Sequence, residues 1–171
     1  IIPGTLKATK AIGWFIDEYG IAQVSMNITN ISVTPVHIAF DEVSNKAAAR
    51  GIRVTGSEIV GLVPKRVLLE AGKYYLTKQH RSLGVSEDEL VKIAVKSMGL
   101  DELNDFNPED KIIEYKLWGK VRHGKLISMS LTAFANETAS ESPAPGGGSI
   151  SAYVGALGIS LATMVANLSS H

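Results

Sequence analysis

The chain has 171 residues, of which 45% are hydrophobic and 20% are charged, so its composition is that of a globular protein rather than a disordered one. Seventeen basic residues balance seventeen acidic ones, and a chain without net charge is not expected to carry the dominant basic patch that nucleic acid binding needs. The absence of cysteine excludes a disulfide scaffold, thiolate zinc sites, iron–sulfur clusters and a cysteine nucleophile, and it fits a reducing compartment.

A β-hairpin is the first predicted unit. Residues 11–16 are rich in β-branched and aromatic side chains, and residues 21–30 alternate strictly between apolar and polar side chains after a short turn. In this alternation Gln23, Ser25 and Asn27 share one face, and the apolar residues share the other. We therefore predict a second strand with a buried apolar face and an open polar face.

Helices and one further strand are predicted downstream of the hairpin. The first helix has Thr34 as its N-cap, Pro35 in its first turn and Gly51 at its C′ position, and a strand over 54–63 follows it. Pro64 opens the second helix, whose inner face carries Val67, Leu68, Ala71 and Tyr75. Ser86 and Glu89 form the capping box of a third helix that ends at Gly99, and Asn107 and Pro108 cap one more short turn. Residues 112–113 fit either a strand or a helical turn. This β-β-α-β-α-α order predicts an α+β fold, a layered β-sheet with helices on one face.

The composition changes after Lys125, beyond which the chain has no further lysine or arginine. A short helix is predicted over 130–139, and residues 150–168 run without a charge. A helix over 150–168 would be just long enough to span a membrane, but its small and polar residues lower its hydrophobicity, and no aromatic belt or basic flank frames it. We therefore favour a buried helix of an all-α bundle and expect no membrane partner.

The polar face of the second strand is the first candidate site. Gln23, Ser25 and Asn27 offer donors and acceptors that suit a polar ligand or an interdomain cleft, although a plain solvent face has the same composition. A second polar group, Ser57 and Glu58, lies in the predicted third strand, where a carboxylate among apolar residues needs a partner or water.

A glycine-rich run before the last predicted helix is the second candidate. Gly146, Gly147 and Gly148 allow backbone N–H groups to approach an anion at a helix N-terminus, and Ser149 follows them. No Gly-Lys-Ser/Thr sequence follows, so this run is not a P-loop. The alternative interpretation is a flexible break with Ser149 as the helix N-cap.

The four histidines do not form a recognisable site. They are His37, His80, His123 and His171, and none has the spacing of a metal-binding motif. We expect each histidine to be structural or solvated rather than catalytic, and we expect no metal.

Several longer segments resemble a known enzyme family. Residues 11–18 (AIGWFIDE), 22–27 (AQVSMN) and 56–64 (GSEIVGLVP), continued by 100–101 (LD) and 112–115 (IIEY), resemble the C-terminal subdomain of glutamate formiminotransferase. Residues 142–149 (SPAPGGGS), with 164–165 (MV) downstream, resemble the start of the formiminotetrahydrofolate cyclodeaminase domain. In that family the two activities are fused in this order. The resemblance divides the chain into the transferase C-terminal subdomain over 1–117, a linker over 118–128, and the start of a truncated helical cyclodeaminase domain over 129–171.

The resemblance implies a folate-dependent function in histidine degradation. The family moves the formimino group of N-formiminoglutamate to N5 of tetrahydrofolate, and the cyclodeaminase then releases ammonia and leaves methenyltetrahydrofolate. Tetrahydrofolate, expected as a polyglutamate, is the co-substrate and lies between the two transferase subdomains. The family's catalytic histidine belongs to the N-terminal subdomain, and none of the four histidines here matches it.

The resemblance also implies that the chain is incomplete. It starts without methionine or a signal peptide and stops directly after a helical pattern, so we expect a fragment that is inactive alone. The implied partners are the absent N-terminal subdomain and the rest of the cyclodeaminase domain, within a cytoplasmic homo-oligomer.

Residues and resemblance together give a hypothesis for the site. We expect Gln23, Ser25 and Asn27, with Ser57 and Glu58, to orient formiminoglutamate or the pterin. The run of Gly146, Gly147, Gly148 and Ser149 is the candidate folate loop of the cyclodeaminase. The alternative is a non-catalytic ligand-binding or assembly module that docks its partners through the polar sheet face.

Overall fold

The computed structural model describes residues 4–119 and 124–169. In these ranges the elements are the strands β1 (Thr9–Ile16) and β2 (Ile21–Ile28), followed by the helices α1 (Val36–Ala48), α2 (Lys65–Lys78), α3 (Glu87–Met98), α4 (Pro108–Lys111), α5 (Ile113–Trp118), α6 (Leu131–Thr138) and α7 (Gly147–Ser169). An antiparallel strand pair followed by helices confirms the predicted α+β class.

The predicted hairpin forms along its full length. β1 and β2 pair antiparallel from Ile16 opposite Ile21 to Thr9 opposite Ile28. The turn between them closes where the Gly20 N–H donates to the Asp17 carbonyl at 3.3 Å. Gly20 has a φ of +61°, a left-handed conformation that glycine adopts without steric cost.

The predicted third strand over 54–63 does not form. Within that range only Val63 pairs with another segment, through an isolated parallel bridge to Ile112. The reason lies at residue 57, whose backbone N–H donates to the Gly99 carbonyl at 2.9 Å and whose hydroxyl donates to the Met98 carbonyl at 2.6 Å. These groups bind the end of a helix instead of a neighbouring strand, so the sheet of the described chain has two strands.

The apolar face of the hairpin is not buried, contrary to the prediction. Phe15 is 59% exposed and Val24 is 48% exposed. The core of the described residues instead lies between helices and includes no residue of either strand. Burial in an α+β fold needs a second layer packed on the sheet, and the helices of this chain pack mainly on one another.

The core is built around the contact of α2 with α3. Its buried members are Val63, Val67, Leu68, Ala71, Tyr75, Val91, Ala94, Val95, Met98, Leu100, Ile112 and Tyr115. The four residues predicted for the inner face of α2 are all among them. At Gly72 the helices approach so closely that a Cβ atom would overlap the carbonyl group of Leu90. The α2–α3 pair is therefore the centre of this core.

Most predicted helix ends are confirmed. The Ser86 hydroxyl accepts the Glu89 N–H at 3.3 Å, and Asn107 caps α4 through the Glu109 N–H at 3.1 Å. Gly99 ends α3 with a φ of +58°. Similarly, Gly51 follows α1 with a φ of +72°.

The start of α1 differs from the prediction. Pro35 occupies the N-cap position, and its side chain offers no acceptor. Thr34 is buried, and its hydroxyl donates to the Lys7 carbonyl at 2.6 Å. The residue predicted as a cap therefore connects α1 to the base of the hairpin.

The segment around the predicted linker is short and exposed where it is described. Trp118 ends α5, and residues 124–128 form a turn that precedes α6. The Ser130 hydroxyl caps α6 by accepting the Ala133 N–H at 3.1 Å, as the predicted helix over 130–139 requires. The rest of the linker, with His123, lies outside the described residues, as does His171.

The last helix, α7, is longer and more exposed than predicted. It begins at Gly147, so Ser149 lies inside it, and the Gly146 carbonyl accepts the Ile150 N–H at 3.2 Å. The prediction of Ser149 as the N-cap is therefore wrong. No described residue of α7 is buried, contrary to the predicted buried helix. Among the described residues it is the one helix that is long and apolar enough, by length and composition, to cross a membrane.

Candidate functional site

The pairing register of the hairpin defines one face that carries most of the predicted site residues. Directly opposed residues of an antiparallel pair share a face, with Cβ atoms about 4.5–5.5 Å apart. Trp14 lies opposite Gln23, Ile12 opposite Ser25, and Lys10 opposite Asn27. We call the surface formed by these six residues the amide face. It brings the three predicted polar residues of β2 together with three β1 residues that the sequence analysis did not assign to the site.

Four of the six residues of the amide face are exposed and two are half-buried. Gln23 and Ser25 are half-buried, whereas Asn27 is exposed. Trp14 is 44% exposed and Ile12 is 65% exposed. An isolated two-stranded hairpin is marginally stable in water, and this hairpin exposes apolar side chains on both faces. Such a surface is typical of a contact with another folded unit.

Hydrogen bonds from threonines attach the base of the hairpin to the start of α1. Thr29 donates its N–H and its hydroxyl to the Ala8 carbonyl at 2.8 and 3.0 Å. Thr34 donates to the Lys7 carbonyl, as described above, and the Thr5 hydroxyl donates to Glu42 on α1 at 2.5 Å. The position of the amide face therefore depends on α1.

One carboxylate of α1 binds three side chains of α2. Asp41 accepts hydrogen bonds from the Tyr74 hydroxyl at 2.8 Å, the Tyr75 hydroxyl at 3.1 Å and the Lys78 ammonium at 2.6 Å. Burial alone would raise the pKa of Asp41, but these bonds outweigh it and lower the pKa below its usual value. Burial and the nearby carboxylate together raise the pKa of Tyr75. The cluster therefore holds a charged Asp41 and neutral tyrosines at neutral pH.

A buried histidine lies beside this carboxylate cluster. The ring of His37 stacks on Tyr74 with centroids 4.6 Å apart, and its Nδ1 atom is buried without a hydrogen-bond partner among the described residues. Burial lowers the pKa of His37, and the carboxylates of Glu70 and Asp41 oppose that shift only in part. His37 thus packs between α1 and α2, while His80 is exposed after the end of α2.

Ser57 and Glu58 lie outside the amide face. Ser57 is fixed to the C-terminal end of α3, and Glu58 is exposed. No hydrogen bond or salt bridge within the described ranges connects either residue to β1 or β2. The hydrogen bonds of Ser57 therefore connect it to the end of α3 and not to the hairpin.

The glycine-rich run forms the start of α7. Gly147 and Gly148 are the first residues of the helix, and the space where their Cβ atoms would lie is open within 4 Å. Gly146 and Ser149 flank them, with Ser149 half-buried. The four predicted residues are thus close together, at the opposite end of α7 from Asn167, whose amide donates to the Gly84 carbonyl at 2.8 Å.

The described residues contain no group of three histidine, aspartate or glutamate side chains placed to hold a metal ion. What the amide face offers is different: neutral donors and acceptors beside an exposed indole and one cation, Lys10. This composition suits an uncharged polar ring or amide better than a metal.

Sequence reasoning missed Trp14, Ile12 and Lys10, although the signal was present. A turn over residues 17–20 makes Ile16 and Ile21 the first pair, and this register places residues 14, 12 and 10 opposite 23, 25 and 27. The pairing therefore follows from the predicted turn, together with the alternation of side chains along both strands.

Comparison with known proteins gives two matches that follow one another along the chain. Residues 2–118 match the family model described as the formiminotransferase domain. The chain belongs to the formiminotransferase family. Residues 130–171 match a second model, described as formiminotransferase-cyclodeaminase. The order agrees with the family resemblance noted in the sequence.

Individual relatives of this formiminotransferase-family chain include both bifunctional and single-activity proteins. The formimidoyltransferase-cyclodeaminase of Gallus gallus is 40% identical over 167 residues, which are 98% of this chain and 31% of the relative. That of Dictyostelium discoideum is 43% identical over 95% of this chain and 30% of its own length. The glutamate formimidoyltransferase of Thermoplasma acidophilum is 41% identical over 73 residues, 43% of this chain and 24% of the relative. The chain thus spans about a third of the length of the bifunctional relatives.

Proposed function

We propose that the chain is part of a bifunctional folate enzyme, a glutamate formiminotransferase fused to a formiminotetrahydrofolate cyclodeaminase. The observation that carries this proposal is the occurrence of both family matches in one chain, over residues 2–118 and 130–171. Relatives that are 39–43% identical over at least 95% of this chain carry a name that combines both activities.

The division into domains follows the same two matches. We place the transferase C-terminal subdomain at 1–117, the linker at 118–128 and the start of the cyclodeaminase domain at 129–171. Two structural boundaries support this division, because α5 ends at Trp118 and α6 begins at Leu131.

The proposed reaction transfers a one-carbon group between two amines. The N5 amine of tetrahydrofolate attacks the formimino carbon, and a base removes the N5 proton. The bond between that carbon and the glutamate nitrogen then breaks, and the base returns the proton to the glutamate nitrogen as it leaves. Of the described histidines, His37 is buried against α2 and His80 follows the end of α2, so we assign the base to a part of the enzyme outside this chain. The co-substrate is tetrahydrofolate, in its polyglutamylated form, and the proposed chemistry needs no metal.

In this proposal the amide face binds and orients substrate. It is open in the described chain, and a second subdomain packed over it would enclose a cleft lined by Gln23, Ser25 and Asn27. These amides and the hydroxyl hold polar groups of formiminoglutamate or the pterin without adding charge. Ser57 and Glu58 remain candidates for the rim of the cleft, and the run of Gly146, Gly147, Gly148 and Ser149 remains the candidate folate loop of the cyclodeaminase.

One observation favours a second function, in assembly. The exposed apolar side chains of α7 include Val154, Leu157 and Leu161, and the helix has no charge. A surface of this kind is typical of packing against another helix. We propose that α7 joins the remaining helices of the cyclodeaminase domain within a homo-oligomer.

The experiment that tests the transferase assignment uses the complete polypeptide. Formimino transfer from N-formiminoglutamate to tetrahydrofolate is followed through the methenyltetrahydrofolate that the cyclodeaminase forms. We expect transfer by the wild type and a lower kcat/KM for Gln23→Ala and Asn27→Ala, by about tenfold each if each loses one substrate hydrogen bond. Asn45→Ala, an exposed amide on α1, is the matched control and is expected to keep wild-type kinetics. Absence of transfer by the wild type would refute the assignment, and unchanged kinetics in both site variants would refute the role of the amide face.

A further inference from the structure

We propose that the indole of Trp14 is the stacking surface for the fused heteroaromatic ring of the folate on the amide face. This inference rests on the proposed function, which supplies the ligand class, and extends it to a residue that has no assigned role. It predicts a specific arrangement: the ring lies on Trp14, and its edge meets the amide of Gln23.

The first step of the argument is the accessibility of Trp14. Tryptophan is large and is usually well buried in a folded protein, yet Trp14 is 44% exposed. No other aromatic ring in the described ranges stacks on it. It projects from the middle of a strand, where the paired backbone holds it in place, and an aromatic ring held in this way presents a flat surface at little entropic cost.

The second step is the position of Trp14 relative to a hydrogen-bonding group. The register places Gln23 directly opposite Trp14, so their Cβ atoms are about 5 Å apart on the same face. A primary amide offers two donors and an acceptor in one plane. The edge of a pterin ring alternates donors and acceptors in the same way. A ring stacked on the indole would therefore bring its edge within reach of the Gln23 amide.

The third step is charge. Lys10 is on the same face, four residues from Trp14, which corresponds to about 13 Å along the strand. It is exposed and forms no salt bridge among the described residues. An extended folate carries its carboxylates at the opposite end from its ring. The cation therefore lies where the charged end of a ligand stacked on Trp14 would reach.

The adjacent aromatic residue provides a comparison. Phe15 is 59% exposed, but strand alternation places it on the other face, opposite Ala22 and away from the amides. Substitution of Phe15 therefore reports the general effect of removing an exposed aromatic side chain from the hairpin. If Trp14 stacks on the folate, the two residues will respond differently to substitution.

The test is made in the complete polypeptide, with two readouts. The first is the equilibrium dissociation constant for folinic acid, measured by isothermal titration calorimetry. The second is the KM for tetrahydrofolate, separated from kcat, in the formimino transfer assay. The variants are Trp14→Ala, Trp14→Leu, Trp14→Phe and the control Phe15→Ala. Trp14→Leu keeps apolar bulk without an aromatic plane, so it reports on stacking even if Trp14→Ala loosens the hairpin.

We expect Trp14→Ala and Trp14→Leu to raise both constants about fivefold or more, since loss of base–aromatic stacking in other proteins corresponds to such factors. Trp14→Phe should restore most of the affinity, and Phe15→Ala should leave it unchanged. Wild-type constants in both the alanine and the leucine variants would overturn the inference, and so would an equal loss of affinity in Phe15→Ala.

The same data separate this inference from the proposed function. Binding of folinic acid that depends on Trp14, in a wild type that transfers no formimino group, would support the stacking role and refute the transferase assignment. Normal formimino transfer, with wild-type constants in the Trp14 variants, would support the transferase assignment and refute the stacking role. A wild type that neither binds folinic acid nor transfers the formimino group would overturn both.

Discussion

Replacement of Gly72 by alanine is expected to destabilise the protein, although helix propensity alone predicts the opposite. Alanine is favoured over glycine inside a helix by about 1 kcal/mol. At Gly72, however, the added Cβ would overlap the carbonyl group of Leu90 and lie 2.9 Å from its Cα. These are backbone atoms of α3, so no side-chain rotation relieves the contact, and α2 and α3 must move apart.

The expected loss follows from the core that these helices share. Leu68 and Met98 are fully buried there, and a gap of about 0.5–1 Å already forfeits a quarter to a half of the dispersion attraction between packed atoms. Overpacking of this kind typically costs about 1–3 kcal/mol. Subtracting the propensity gain of about 1 kcal/mol from this cost leaves a net loss of about 0–2 kcal/mol, so we expect Gly72→Ala to lower the free energy of unfolding by about 1 kcal/mol.

The assay is urea denaturation followed by far-ultraviolet circular dichroism. Gly155→Ala is the matched control, because Gly155 lies in α7 with no atom within 4 Å of a Cβ position. The control is expected to be neutral or stabilising, by up to about 1 kcal/mol. If Gly72→Ala proves as stable as the wild type or more stable, the close α2–α3 contact described here is wrong.

Two further predictions concern the contact of α1 with α2. Asp41→Asn should lower the free energy of unfolding by about 1–3 kcal/mol at pH 7, since it leaves three donors without their charged acceptor. Because the folded pKa of Asp41 is lowered, its contribution to stability is present above the unfolded pKa of about 3.8 and is lost as pH falls through the folded pKa. Urea titrations should therefore show a smaller difference in stability between the wild type and Asp41→Asn at pH 3 than at pH 7. An equal difference at both pH values would contradict the prediction. The folded pKa of His37 is also lowered, so the unfolded chain binds more protons and the wild type should lose stability as pH falls below about 6.5. His37→Phe keeps a ring against Tyr74 and should remove this part of the pH dependence of stability between pH 7.5 and about 5.5. Identical pH profiles of stability for the wild type and His37→Phe would show that the pKa of His37 does not change on folding.

Local chemical signals predicted the helix ends well. Ser86 and Gly99 are the clearest examples, because a cap hydroxyl and a left-handed glycine act on backbone groups within a few residues of themselves. The start of α7 shows the limit of this reasoning. Ser149 has the right side chain for an N-cap, but the helix extends two residues further towards its N-terminus, where Gly147 and Gly148 lie in open space.

Strand formation could not be predicted in the same way, because it depends on distant partners. Residues 54–63 have the composition of a strand, yet Ser57 binds the end of α3 and only Val63 finds a bridge partner, in Ile112. The hairpin was predictable because its two strands are adjacent in sequence and its turn is short. The exposure of its apolar face was not predictable, since burial of a strand depends on what packs over the sheet.

Only the β2 half of the candidate site was predicted from the sequence. Alternation along β2 revealed Gln23, Ser25 and Asn27, but the grouping of these residues with Ser57 and Glu58 assumed a third strand that does not form. The partners on β1 required the register, which brings Trp14 opposite Gln23. Patterns within one strand therefore found part of the face, and pairing between strands supplied the rest.

Reconstitution decides whether this chain forms part of a folate-dependent formiminotransferase, as we propose. The chain is mixed with the N-terminal part of the same polypeptide, and transfer of the formimino group from N-formiminoglutamate to tetrahydrofolate is measured for each component and for the mixture. We expect transfer in the mixture and none with this chain alone. If the mixture is inactive although the two parts bind each other and the complete polypeptide is folded and equally inactive, the claim is wrong.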